Sequence, residues 1–416
     1  MPLFSAPLWR HPDFMRLWTA QAVSQFGEQV TRAALSLAAL LTVHAEPAQL
    51  GVLAALSSAP AVIVGMFAGG YVDRARRRAL MISADIVRGL LLLTVPIAAW
   101  LGIFSMMQVY VLAFLVGAAS VLFDLADTAY LPTLLPQEHL IEGNSKLGVT
   151  RATAEVGGSA LAGLLVQIIG APMTITFNAF TYLFSAFALG RIKAPEPATA
   201  TETGDEHPLA GIGAGLRAVL ANPLVRPIFV IAVSGNMFGA FFAALYTFFV
   251  VSVLHLTPFM LGLSIAAGGI GSLVGAALSP LIARALGVGP AILTCWVVMP
   301  VLMLATPLAQ GPPYVALSIL IAGQFLGDAL AVAGNTIAFT LYQTTMANSR
   351  LGRAQAAFRV GAGAGMIVGA LAGGVLGEIL GARATLFIAI GGMALSAAPG
   401  FVSPLRRLKS MPAPTA

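Results

Sequence analysis

The sequence has few charged residues and almost no cysteine, and both shortages narrow the class of protein. Only 9% of its 416 residues are charged, whereas a soluble domain carries roughly 25%. The single cysteine, Cys295, lies in an apolar segment, which excludes a disulfide and a cysteine metal site. The five histidines are scattered without metal-ligand spacing, at His11, His44, His139, His207 and His255. No nucleophile–base pair or phosphate-binding loop appears, so we expect neither an enzyme nor a cofactor.

Long apolar segments make up most of the chain. Hydrophobic residues account for 58% of it, and the mean hydropathy is +0.90. Because a helix needs about 20 apolar residues to cross a bilayer, the sequence predicts an all-α membrane protein of about twelve transmembrane helices. We place these spans roughly at 17–43, 49–71, 80–102, 106–131, 144–168, 172–192, 225–254, 259–283, 289–309, 313–342, 354–380 and 384–404.

The lysines and arginines predict the orientation of these spans. With an inner N-terminus, the outer connections contain one basic residue, Arg383, and the inner connections and tails contain most of the 22 Lys and Arg. Basic residues concentrate on the cytoplasmic side of a membrane. Both termini are therefore expected in the cytoplasm, with the chain in a bacterial inner membrane. The net charge of +6 follows this pattern, so we expect no nucleic-acid partner.

The chain also contains a weak internal repeat. A shift of 211 residues superposes several landmarks without a gap. We therefore predict a six-helix half at 1–193, a cytoplasmic linker with an amphipathic helix at 194–222, and a second six-helix half at 223–416. The superposed landmarks are Pro12 with Pro223, Gly51 with Gly262, Pro96 with Pro307, Gly158 with Gly369, and Gly170-Ala171 with Gly381-Ala382.

The loop between the second and third spans carries a recognisable motif. Its pattern is Gly-x-x-x-Asp-Arg-x-x-Arg-Arg, formed by Gly69, Asp73, Arg74, Arg77 and Arg78. The motif resembles the signature loop of the major facilitator superfamily of secondary transporters. That resemblance implies two six-helix halves, a substrate site near mid-membrane at their interface, and a cytoplasmic latch formed by Asp73 and the arginines. The alternative is that the arginines only set the topology.

Two further stretches resemble one branch of that superfamily. Residues 14–18 precede the first span with Phe-Met-Arg-Leu-Trp, and residues 129–136 follow the fourth with Ala-Tyr-Leu-Pro-Thr-Leu-Leu-Pro. They resemble the bacterial branch of enterobactin exporters and macrolide and multidrug efflux proteins. Two features depart from drug–proton antiporters: Ala113 stands where they carry an arginine, and 158–163 lacks their proline. Any proton coupling is therefore expected to use other carboxylates.

Polar side chains inside the spans are the candidate functional residues, since ionisable groups in hydrocarbon are costly and usually face a cavity or a partner. The resemblance implies that the first, fourth, seventh and tenth spans line the cavity. We predict proton coupling or cavity roles for Glu28, Arg32, Asp328, Gln25, Asn236, Tyr246 and Asn335. The alternative is structural: Glu28 and Arg32, one turn apart, form an ion pair, and Asp328 caps a helix or holds water.

A second group of charges lies nearer the predicted inner ends. Asp85 and Arg88, one turn apart, are expected to be structural or part of the inner gate with the signature loop. Further candidates are Asp124, Asp127, Arg151, Glu155 and Arg359, with Arg151 and Glu155 expected to form a local salt bridge from their i, i+4 spacing.

The leading hypothesis from sequence is a proton-coupled exporter of amphipathic small molecules, such as drugs or a siderophore, that works by alternating access. The expected partners are this substrate, protons and membrane lipids, and the expected state is a monomer. Two alternatives remain open. One is a lipid or lysolipid flippase, and the other is a non-transporting membrane scaffold or sensor.

Overall fold

Helices form almost all of the chain. The computed structural model describes residues 7–67, 72, 74–194, 196 and 208–412, and these contain no β-strand. The helices are α1 (Pro12–Leu41), α2 (Pro47–Phe67), α3 (Arg77–Trp100), α4 (Met106–Leu134), α5 (Leu140–Ile169), α6 (Ala171–Gly190), α7 (Pro208–Ala221), α8 (Val225–Phe248), α9 (Pro258–Leu286), α10 (Val288–Met303), α11 (Pro313–Thr345), α12 (Asn348–Leu380) and α13 (Ala382–Ser396).

Eleven of the described helices are long and apolar enough to cross a membrane, where α10 and α13 are counted together with the short helices that continue them to Leu308 and Phe401. The predicted first span, α1, is not among them, although its 30 residues make it about 45 Å long. Glu28, Arg32 and three glutamines interrupt its apolar sequence. The twelve predicted spans thus correspond to these eleven helices and α1.

The backbone repeats at the spacing of 211 residues that the sequence predicts. The helices α2, α3 and α6 begin at Pro47, Arg77 and Ala171, and α9, α10 and α13 begin 211 residues later. In the described chain the non-glycine residues with positive φ are His44 and His255, which form a pair at this offset. Gly170 and Gly381, at φ 79° and 82°, form another. The repeat therefore extends to individual turn conformations.

The described residues group into two compact units. Unit 1 comprises 1–44 and 63–204, and unit 2 comprises 45–62 and 205–416. In unit 1, α1 packs on α5 and α6, and α3 packs on α4 and α6. In unit 2, α8 packs on α12 and α13, and α11 packs on α9 and α10. The domain limits predicted from the sequence remain a prediction, and residues 195 and 197–207 of the linker lie outside the described residues.

The first part of α2 groups with unit 2. Its small residues allow the backbones to approach closely: Gly51 meets the backbone of Gly374 on α12, and Ala55 packs in a cluster with Ala240 and Ala370. Close contact through small residues is the common way for helices to associate in a membrane, where the hydrophobic effect does not favour one helix pairing over another. The helix α2 therefore contributes to both units.

The helix α7 corresponds to the predicted amphipathic helix after the linker. Its buried residue Val219 packs in a cluster with Val225, Tyr342 and Met346. Gly215 lies against the backbone carbonyl of Arg353 on α12, where a side chain would collide. Other helices of unit 2 therefore cover part of the apolar side of α7, whereas Leu220 is exposed.

Glycines on α9 allow a close helix contact in unit 2. A Cβ at Gly271 would collide with the carbonyl of Phe325, and a Cβ at Gly275 would collide with the carbonyl of Ala329. Both partners are backbone atoms of α11 and cannot move as a flexible side chain does. The pairing of α9 with α11 thus requires the absence of side chains at these positions.

We expect Gly275→Ala to lower the free energy of unfolding by about 1–3 kcal/mol, the usual cost of overpacking. The matched control is Gly391→Ala on α13, where a Cβ meets open space. Alanine there should stabilise the helix by about 0.5–1 kcal/mol, because glycine loses more conformational freedom on folding. Thermal unfolding midpoints of the purified variants in one detergent test this. Equal midpoints for both variants would contradict the close packing of α9 and α11.

Candidate functional site

Three charged side chains of α1 and α4 lie on an open face of unit 1. Arg32 Nη2 lies 3.0 Å from Glu28 Oε1, so the ion pair expected from their spacing is present. The Arg32 side chain is 69% exposed, and that of Glu28 is 26% exposed. Asp124 on α4 is exposed and interacts electrostatically with both residues. This face therefore holds two carboxylates beside one guanidinium.

Asp127 lies behind this face and is buried. Its carboxylate accepts a hydrogen bond from the Gln21 amide of α1. Asp124, Asp85 and the guanidinium of Arg151 are its electrostatic neighbours. The bond from Gln21 joins α1 to α4 inside unit 1, so Asp127 has a structural partner as well as charged neighbours.

Arg88 on α3 is the centre of the buried charges in unit 1. Its guanidinium carbon lies 4.5 Å from the ring centroid of Phe123 and 4.2 Å from that of Tyr182. The guanidinium also donates hydrogen bonds to the Asp85 carboxylate and, at 3.1 Å, to Ser120 Oγ. Aromatic faces attract a cation most strongly when it is removed from water. Two rings, a carboxylate and a hydroxyl thus replace the hydration of Arg88.

The Asp85–Arg88 pair is connected electrostatically to the open face. Glu28 and Asp124 both interact with Arg88, although the pair itself is 0–1% exposed. The role in an inner gate expected for Asp85 and Arg88 stays a prediction. Their burial among α3, α4 and α6 of one unit favours a role inside that bundle.

A polar stripe on α6, which the sequence reasoning missed, connects this cluster to α1. The Asn178 amide donates to Thr31 Oγ1, and Thr181 Oγ1 donates to Asn178 Oδ1 at 2.5 Å. Gly27 makes room for this contact, since a Cβ there would collide with both α6 side chains. The sequence does contain a pattern that could have predicted this stripe. Its polar residues are spaced four, three and four apart, which places them on one helical face: Thr174, Asn178, Thr181 and Ser185.

Unit 2 contains a second polar cluster with little charge. Tyr246 on α8 donates to Ser264 Oγ on α9 at 2.9 Å, and Ser264 donates to the Leu261 carbonyl at 2.8 Å. On α11, Gln324 and Asp328 both interact electrostatically with Tyr246. The structure thus brings together two predicted residues, Tyr246 and Asp328, and adds Ser264, which the sequence reasoning missed.

Two other predicted cavity residues of unit 2 are not part of this cluster. The Asn236 amide donates to the Ala232 carbonyl of its own helix at 2.7 Å. Asn335 is exposed and lies about two helical turns beyond Asp328. Gln25 of unit 1 is half-buried, and its role also stays a prediction.

The signature loop is only partly described, because Gly69 and Asp73 lie outside the described residues. Arg77 Nη1 donates to the Ala129 carbonyl at 2.8 Å, and Arg78 Nη2 donates to the Gly190 carbonyl at 3.0 Å. Arg74 is exposed. Arg77 and Arg78 thus tie the loop to the ends of α4 and α6 within unit 1.

The local salt bridge expected between Arg151 and Glu155 is absent from the ion pairs of the described residues. Both side chains are exposed, and Arg151 instead interacts electrostatically with Asp124 and Asp127 on α4. The i, i+4 spacing along α5 would allow a salt bridge, but the carboxylates of Asp124 and Asp127 compete with Glu155 for the guanidinium of Arg151. Arg359 on α12 is exposed, and its role remains a prediction.

A family profile described as transmembrane secretion effector, within the major facilitator superfamily, matches residues 4–415. The chain belongs to this family. It is a multi-pass membrane protein from a family of transporters rather than enzymes, as the signature loop and the composition predict.

Two curated relatives that each match about half of the chain support this assignment. The chain is 26% identical to the MFS-type transporter YfiS of Bacillus subtilis over 184 residues, which cover 44% of this chain and 43% of that one. It is also 26% identical to the enterobactin exporter EntS of Shigella dysenteriae over 219 residues, 52% of this chain and 51% of that one. The chain thus matches about half the length of these relatives.

Solved structures of other facilitators share the fold. A mutant of the nucleoside transporter NupG matches with a TM-score of 0.75 at 12% identity, covering 94% of this chain and 99% of that one. A bacterial homologue of the iron transporter ferroportin, in an inward-facing state, matches with a TM-score of 0.74 at 14% identity, covering 94% and 98%. At these identities, the likeness concerns the fold alone.

Removal of Arg88 should destabilise the protein strongly, because it leaves Asp85 buried without its partner. We expect Arg88→Leu to lower the free energy of unfolding by about 3–5 kcal/mol. The double variant Asp85→Leu/Arg88→Leu should recover most of this loss, since an apolar replacement of both partners is often neutral. Thermal unfolding of the purified variants measures both effects.

The control is Arg32→Leu, which removes the arginine of a more exposed pair and should cost about 0–1 kcal/mol. A double variant as unstable as Arg88→Leu alone would show that Arg88 matters through contacts other than Asp85.

Proposed function

We propose that this protein is a proton-coupled secondary exporter of amphipathic small molecules that works by alternating access in a bacterial inner membrane. The family description and the likeness to an enterobactin exporter support export. We further propose a monomer with both termini in the cytoplasm, whose basic inner residues contact lipid headgroups. Secondary transport of this kind moves one half of the fold against the other around a fixed site.

The excess of carboxylates in unit 1 is the observation that carries the proposal. Glu28, Asp85, Asp124 and Asp127 form one electrostatic cluster, whose basic members are Arg32, Arg88 and Arg151. If every group is ionised, one negative charge is left without a positive partner. An unbalanced charge is costly in a membrane protein, and one bound proton would neutralise it.

The open face supports a proton exchange at Glu28 and Asp124. Asp124 is exposed and Glu28 is partly exposed, whereas Asp85 and Asp127 are buried. A proton on Glu28 would weaken its ion pair with Arg32 and leave that guanidinium available to another anion. Proton binding and the arrangement of this face are therefore linked, which is what coupled transport requires.

The test is transport in proteoliposomes under an imposed pH gradient, with a cationic dye, a macrolide, a catecholate siderophore and a lysolipid as probes. We expect gradient-driven movement of at least one of the first three, which Glu28→Gln and Asp124→Asn should each reduce by roughly 10²-fold or more, the lower limit for a lost acid–base group. The matched control is Glu138→Gln, which removes an acid whose side chain is 79% exposed and lies outside the cluster.

Two outcomes would overturn the proposal. Movement of the lysolipid without a gradient would favour the flippase alternative. Failure to move any probe, in a folded protein that forms a specific complex with another membrane protein, would favour the scaffold or sensor.

A further inference from the structure

The described part of unit 2 from 208 to 412 has two acidic residues, Asp328 and Glu378. Both lie far from the end of the unit where α7, α8, α11 and α12 meet. Glu378 is 25 residues after Arg353 on α12, about 37 Å along the helix. Asp328 is 14 residues before Tyr342 on α11, about 21 Å along that helix. This end of unit 2 therefore carries basic residues without acidic residues of 208–412 to balance them.

Three exposed arginines surround one apolar cluster at this end. They are Arg217 on α7, Arg226 on α8 and Arg350 on α12, and we call them the basic surface of unit 2. The cluster also includes Tyr342 at the end of α11. Each arginine is the direct chain neighbour of a residue of the cluster or of one packed against it: Ala218, Val225 and Leu351. The arginines are thus held around one packed centre although they come from three helices.

The basic surface lies where membrane spans begin and end. The spans Val225–Val253 and Arg350–Leu380 begin there, and the span Pro313–Thr345 ends there. The polar headgroups of a bilayer occupy the layer directly beyond its hydrocarbon core. The three guanidinium groups are therefore expected at the depth of the headgroups.

The helix α7 adds an apolar side chain to this surface. Leu220 is 42% exposed and lies three residues after Arg217, so the two share one side of the helix. Helices that lie at a membrane surface combine basic and apolar side chains in this way. The exposed side of α7 thus matches a lipid surface better than it matches water.

Unit 1 does not repeat the basic surface. The positions 211 residues before its three arginines contain neither arginine nor lysine: Ala6, Met15 and His139. Basic residues near the corresponding end of unit 1 have acidic partners, since Arg16 pairs with Asp13 at 2.5 Å and Lys146 pairs with Glu142 at 2.7 Å. The surface is therefore a property of unit 2 and not a general result of the orientation of the chain.

We propose that the basic surface of unit 2 binds the phosphate groups of anionic phospholipids and so fixes α7 and the adjoining ends of α8 and α12 to the membrane surface. This inference deepens the proposed contact of basic residues with lipid headgroups, and it does not depend on proton coupling. Guanidinium groups bind phosphate through two parallel hydrogen bonds. A headgroup with a net negative charge fits a surface of three cations, whereas a zwitterionic headgroup brings a cation of its own.

Thermal unfolding of the purified full-length protein in a non-ionic detergent tests the inference, with phosphatidylglycerol and phosphatidylcholine of the same acyl chains as added lipids. A ligand that binds the folded state raises its stability, so we expect phosphatidylglycerol to raise the unfolding midpoint at lower concentrations than phosphatidylcholine. In Arg217→Gln/Arg226→Gln/Arg350→Gln, the phosphatidylglycerol concentration for half of the shift should rise by roughly 100-fold, because each basic residue near an anionic surface strengthens binding by roughly fivefold.

Two further variants separate the basic surface from charge in general. The matched control Arg10→Gln/Arg76→Gln/Arg191→Gln removes three exposed arginines of unit 1. It lowers the net charge by the same amount and should leave the half-shift concentration unchanged. The lysine triple at the three positions of the basic surface keeps the charge and should keep the response. If the glutamine triple does not fold, the single variants Arg217→Gln and Arg350→Gln replace it, each with an expected rise of roughly fivefold.

Four results would overturn the inference. Phosphatidylcholine could act as strongly as phosphatidylglycerol, or the two glutamine triples could lose the response equally, which would assign it to net charge. Inorganic phosphate could reproduce the shift, which would assign the surface to a free anion. A response that appears only after Glu202, Asp205 and Glu206 are neutralised would assign the surface to the acidic linker. Each of these results leaves proton-driven transport to its own test, so the proposed function stands or fails separately.

Discussion

A charge placed within a membrane-spanning helix needs partners in the protein, and the partners of Arg88 join three helices of unit 1. Arg88 is enclosed by two aromatic rings, a carboxylate and a hydroxyl from three helices. These partners join α3, α4 and α6, because a shift of one helix would separate the guanidinium from a ring, the carboxylate or the hydroxyl. The same requirement draws Asn178 to Thr31 and Gln21 to Asp127, which attach α1 to the group. Unit 1 is thus organised around its polar contacts as much as around its apolar ones.

The fold could be predicted from the sequence because its determinants are local. Apolar length predicts the spans, and the offset of 211 residues predicts matching helix starts, which the structure contains at three places. The pair of histidines with positive φ was not predicted, since histidine adopts that conformation only occasionally and nothing in its neighbours requires it. The first helix departs from the general pattern because its charged face lowers its hydropathy.

The candidate site could be predicted only where its contacts lie within one helix. The spacing of Glu28 from Arg32, and of Asp85 from Arg88, was sufficient to predict each pair. The link between these two pairs depends on the packing of α1 against α6 and of α3 against α4, which no spacing encodes. The same limit explains Arg151, whose electrostatic partners lie on another helix. Gln324 and Asp328 lie on one face of α11 by sequence, but their common neighbour Tyr246 comes from α8.

The repeat duplicates the backbone without duplicating the chemistry. The position that corresponds to Asp124 in the second half is Asn335, an uncharged residue of nearly the same shape, and the position that corresponds to Asp328 in the first half is Gly117. The carboxylates of the two halves therefore occupy different repeat positions, seven residues apart, which is about 10 Å along a helix. Their neighbours differ as well, since arginines surround Asp124 and the phenol of Tyr246 interacts with Asp328. The repeat therefore provides a common backbone on which each half carries its own polar cluster.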